Sequence, residues 1–72
     1  MKTLIKWLNK EGYEFTYQTL LNGEYTIITI DNYVIEMEKR HRGGYITSNK
    51  TGFREDFSSV KEIQEMIKNL IK

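Results

Sequence analysis

With 72 residues, 39% of them apolar and 12% aromatic, the chain holds enough material for one domain around one small core, and too much Ile, Tyr and Phe for a disordered segment. It contains no cysteine, which excludes a disulfide framework, a thiolate zinc site and a cysteine nucleophile. A formal net charge of +1 leaves no global field to draw in nucleic acid or an anionic membrane.

Lys2, Lys6 and Lys10 interrupt the apolar N-terminal stretch that a signal peptide or membrane span would need. The expectation is a single compact cytosolic domain over residues 1–72 with no membrane association. The absence of Ala, the excess of Lys over Arg, and the frequent Ile and Asn match AT-rich coding DNA, which points to a low-GC bacterium or one of its phages, so the compartment expected is the cytoplasm of a bacterial host.

The first element is a helix over residues 2–11. Leu4, Ile5 and Leu8, with Met1 behind them, fall on one helical stripe, Trp7 lies on its flank, and Gly12 supplies a left-handed stop. From Tyr13 to Asn49 the period changes to two, and turn signals divide the stretch into strands 13–21, 24–30, 33–41 and 45–49.

Asn22-Gly23 suits a two-residue type I′ turn, because both of its central positions need φ > 0. Counting outward places Leu21 opposite Glu24, Phe15 opposite Ile30 and Tyr17 opposite Ile28 on one face, with Leu20 opposite Tyr25 and Gln18 opposite Ile27 on the other. A second two-residue turn at Asp31-Asn32 pairs Ile30 with Tyr33, Ile28 with Ile35 and Thr26 with Met37, which continues the same apolar face. A further turn at Gly43-Gly44 accounts for both glycines and directs Ile46 to that face and Tyr45 away from it.

Residues 50–57 read as a connecting loop, with a turn at Thr51-Gly52 and with Phe53 and Phe57 tucked under the next helix. The final element is a helix over residues 59–71. Ser59 and Glu62 fit a capping box, and Val60, Ile63, Met66, Ile67, Leu70 and Ile71 form one stripe. The fold expected is α+β: a four-stranded antiparallel meander with both terminal helices packed on one face, α-β-β-β-β-α.

Side chains suited to catalysis are few. His41, the only histidine, precedes a hairpin turn, and Glu36 and Glu38 share the solvent face of a strand without further oxygen or imidazole ligands beside them. No Gly-rich loop precedes a helix in the phosphate-binding pattern. No catalytic residue, metal site or cofactor is therefore expected, and the chain is read as a non-enzyme.

Arg42-Gly43-Gly44-Tyr45-Ile46 resembles a fragment of an RNA-recognition signature, although such domains run βαββαβ. The order of helix, strands and helix is similar to double-stranded-RNA-binding domains and to HicA-type mRNA-interferase toxins, whose opening helix looks like residues 4–13, Leu4-Ile5-Lys6-Trp7-Leu8-Asn9-Lys10-Glu11-Gly12-Tyr13. Those toxins carry a catalytic His early in the sheet, where this chain has Leu21-Asn22-Gly23-Glu24-Tyr25, so the resemblance implies no such activity. The RNA-binding domains carry a lysine-rich entry to the second helix, where this chain has Glu55 and Asp56.

Three surfaces remain once the core is assembled. The sheet face opposite the helices presents Leu20, Tyr25, Ile27, Val34, Glu36, Glu38, Arg40 and Tyr45, a mixture of aromatic, aliphatic and charged groups suited to a protein partner. The first strand is an edge with no Lys or Pro guarding it, which offers a route to a homodimer. Residues 11–38 contain acids and no base, whereas 39–54 contain Lys39, Arg40, His41, Arg42, Lys50 and Arg54 and no acid, a basic hairpin that could contact nucleic acid. The function expected is that of a small binding protein occupying a surface of a protein partner. Its size and residue usage resemble those of phage or mobile-element inhibitors of host or defence enzymes, anti-CRISPR proteins included. The alternative is a nucleic-acid-binding module.

Overall fold

The computed structural model describes residues 2–39 and 43–71. They form α1 (Lys2–Lys10), β1 (Thr16–Leu20), β2 (Tyr25–Ile30), β3 (Tyr33–Glu38), β4 (Gly44–Ser48), β5 (Arg54–Phe57) and α2 (Val60–Leu70). The strands make one antiparallel sheet in the order β1-β2-β3-β4-β5. The α+β class and the meander agree with the sequence, but the sheet has five strands instead of four. Arg54–Phe57, expected as loop, pairs with β4 through Gly44 opposite Phe57 and Ile46 opposite Glu55. A run of Arg, Glu and Asp has no apolar alternation, yet it suits an edge strand, where charged side chains discourage further pairing.

Helix α1 ends as its sequence requires. Gly12 adopts φ +81°, which lets its N–H donate to the Asn9 carbonyl and the Tyr13 N–H donate back to Leu8, the two bonds of a Schellman cap. The hydrophobic contact that accompanies this cap is aromatic, with the Trp7 and Tyr13 ring centroids 5.6 Å apart. At the other end of the chain, the Ser59 hydroxyl accepts from the Glu62 N–H. The Glu62 carboxylate reaches back to the N–H and the hydroxyl of Ser58, one residue before the position a standard capping box would use.

Both hairpin registers follow the residue counts. Tyr17 stands opposite Ile28 and Leu20 opposite Tyr25; Ile30 stands opposite Tyr33 and Ile28 opposite Ile35. Two details differ: β1 begins at Thr16 instead of residue 13, so the expected Phe15–Ile30 pair lies outside the ladder, and the first turn is longer. Leu21 and Asn22 both have positive φ, 54° and 58°, followed by Gly23 at 89°, so four residues separate the last β1–β2 pair and Leu21 leaves the ladder.

The core lies on one side of the sheet. Leu4 and Leu8 from α1 and Ile63, Ile67 and Ile71 from the C-terminal helical segment pack on Ile28, Ile30, Ile35, Met37, Ile46 and Phe57, all buried. Burying each such side chain stabilises the fold by about 1.5–3 kcal/mol before conformational entropy is subtracted. Phe53, Phe15 and Tyr33 pack around this cluster. Tyr17, expected in the core, is on the helix side by register but 56% exposed. It belongs to an edge strand whose five residues are all exposed.

Gly44 lies within β4 instead of at the turn. A Cβ there would collide with the Glu36 carbonyl oxygen and crowd the Met37 side chain, and one on Gly43 would collide with the Phe57 carbonyl. Close approach of three strands therefore requires both glycines, where a hairpin turn was the expected reason. Among the described residues, no helix is long and apolar enough to cross a membrane.

Candidate functional site

Strand alternation sends the residues between the core positions to the opposite face. The pairing arranges them in rows: Gln18, Ile27, Glu36, Tyr45 and Asp56 in one, Thr16, Thr29, Val34, Thr47 and Arg54 in the next, and Leu20, Tyr25 and Glu38 in a third. Helix residues of the core cluster pack on the other side, and among the described residues no element covers this face. Tyr25, Ile27, Val34, Glu36 and Tyr45 are half-buried by their neighbours, Leu20 is 37% exposed and Glu38 is exposed. The structure thus brings seven of the eight residues proposed for partner contact onto one surface, and Arg40 lies outside the described residues.

Polar contacts hold several of these side chains in place. The Tyr25 hydroxyl donates to Glu36 Oε1 at 2.6 Å. Glu36, by accepting that hydrogen bond, raises the Tyr25 phenol well above its ordinary range, with further contributions from the Tyr45 hydroxyl and from burial. On the far side of Tyr45, the Arg54 guanidinium lies 4.3 Å from the ring centroid and 3.5 Å from Asp56. The sequence reading missed the Arg54–Tyr45–Asp56 cluster because it depends on β5. Phe53, Glu55 and Phe57 at alternate positions after the Thr51-Gly52 turn were the available signal.

The basic hairpin is only partly in view. Lys39 and Lys50 are exposed, Arg54 is exposed and contacts Tyr45 and Asp56, and Arg40, His41 and Arg42 lie outside the described residues. A depression of about 420 Å³ lies beside the hairpin, lined by Tyr25, Glu36, Gly44, Tyr45 and Phe57 among others. Among the described residues, no group of three or more His, Asp or Glu side chains is placed to hold a metal ion. In comparisons with known proteins, no family model, curated protein or solved structure matches this chain.

Proposed function

We propose that this chain is a non-enzymatic binding protein that occupies a surface of a protein partner with its uncovered sheet face. The observation that carries the reading is the makeup of that face, in which Ile27, Val34, Tyr25 and Tyr45 are left without a layer above them and the two tyrosines are held by Glu36 and Arg54. Aromatic groups fixed before contact lose little side-chain freedom on binding, which is what an interface anchor requires. Among the described residues, the charged side chains in the rows of that face are Glu36, Glu38 and Asp56 against Arg54, so the complementary surface is one with Lys or Arg around an apolar centre. By analogy of size and composition, we place the protein among phage or mobile-element inhibitors of a bacterial host or defence enzyme.

The test is capture from bacterial lysate by the wild type and by a Tyr25→Ala/Tyr45→Ala double variant matched for folding. The proposal expects the variant to lose the captured partner, and equal capture refutes the named face. Fluorescence anisotropy with single- and double-stranded oligonucleotides separates the nucleic-acid alternative, for which binding falls steeply with salt.

A further inference from the structure

The two edges of the sheet differ. The β5 edge carries Arg54, Glu55 and Asp56, charges that discourage a further strand, whereas β1, Thr16-Tyr17-Gln18-Thr19-Leu20, has no charge and no Pro. The exposed large hydrophobic residues among those described are Tyr17, Leu20 and Leu21, at 56%, 37% and 75%, and all three belong to β1 or the turn that follows it. Leu21 is also held at φ 54°, a left-handed conformation that is costly for a residue other than glycine, with its side chain in solvent. Apolar exposure, backbone strain and an unguarded ladder thus coincide on one edge.

We propose that β1 pairs antiparallel with β1 of a second copy of this chain, joining two sheets into one. The outward-facing groups follow from the hairpins. The two-residue turn at Asp31-Asn32 makes Ile30 and Tyr33 a hydrogen-bonded pair, so alternation turns Thr29 and Ile27 toward β1 and leaves the N–H and C=O of Tyr17 and Thr19 pointing away from the sheet. The two-fold register that overlaps the whole strand sets Tyr17 of each copy against Thr19 of the other, Thr16 against Leu20, and Gln18 against Gln18. Within β1 it opposes no charged residues, and it brings Leu21 of one copy beside the Phe15–Tyr17 ring pair of the other, whose centroids are 6.4 Å apart. The pairing strands carry no charge, so added salt does not weaken this association, whereas it would weaken capture of a basic peptide by the nearby Glu14 carboxylate.

Sedimentation equilibrium of the full chain from micromolar to millimolar concentration tests the proposal. The expected mass rises from 8.6 kDa toward twice that value, and the rise persists in high salt. Tyr17→Lys and Thr19→Lys, at exposed positions, should each hold the chain at the single mass while still unfolding cooperatively in urea. In the proposed register Gln18 faces Gln18 as a non-hydrogen-bonded pair, with Cα atoms about 4.5 Å apart, within disulfide reach. In this cysteine-free chain Gln18→Cys should therefore oxidise to a covalent dimer, while Thr16→Cys should remain largely monomeric. A wild type that keeps its single mass throughout, or Lys variants that associate as the wild type does, overturns the proposal. A constant mass together with salt-weakened binding of a basic peptide, lost in Tyr17→Lys, would assign the edge to a foreign strand and overturn it equally.

Discussion

Tyr25 and Glu36 meet diagonally across the β2–β3 ladder. Tyr25 stands opposite Glu38 and Ile27 opposite Glu36, so the 2.6 Å hydrogen bond spans one step of register on the uncovered face. A phenol raised in the folded state keeps its proton longer there than in the unfolded chain. Its contribution to stability is therefore fully present below about pH 10, the unfolded value, and is lost as pH climbs through the raised native value.

In alkaline spectrophotometric titration, the Tyr25 phenol should give a late phase. Tyr25→Phe should remove that late phase, and Glu36→Gln should move it to lower pH. A late phase that survives in Tyr25→Phe would contradict the assignment.

Gly44 and Gly52 should respond differently to alanine. At Gly44 a methyl group meets the Glu36 carbonyl between paired strands, and overpacking of this kind costs about 1–3 kcal/mol or more. At Gly52 the space is open and the cost is that of φ +74° alone, about 1 kcal/mol. Urea midpoints measure both; equal losses would show that Gly44 is not held between β3 and β5 as described.

Ile28 and Thr29 are adjacent but lie on opposite faces, one fully buried and the other exposed. Ile28→Asp places an unpaired carboxylate in the core and should abolish cooperative unfolding, given a whole-domain stability of about 5–15 kcal/mol. Thr29→Asp should stay within about 0.5 kcal/mol of the wild type. Comparable losses would refute the register.

Much of this geometry was legible in the sequence because two turns of even length leave only one parity for β2. Asn22-Gly23 and Asp31-Asn32, counted independently, both send Ile28 and Ile30 to the core and Tyr25 and Ile27 to the open face, as found. Strand β5 was not legible. Glu55 and Asp56 carry no apolar pattern, and the strand is held by pairing with β4 and by one buried residue, Phe57. The need for Gly44 was hidden for the same reason, since the crowding at that position comes from backbone contributed by neighbouring strands. The exposure of Tyr17 also depends on what covers it, which alternation along one strand does not report.

The central claim, that the uncovered sheet face is the surface that meets a partner, is tested most directly by site-specific photo-crosslinking in bacterial cells. A photoreactive side chain at Ile27 or Val34 on that face is compared with one at Lys61 or Glu65, exposed on α2. The account predicts a discrete crosslinked adduct from positions 27 and 34 and none from 61 and 65. Adducts from the helix positions with none from the sheet would contradict it.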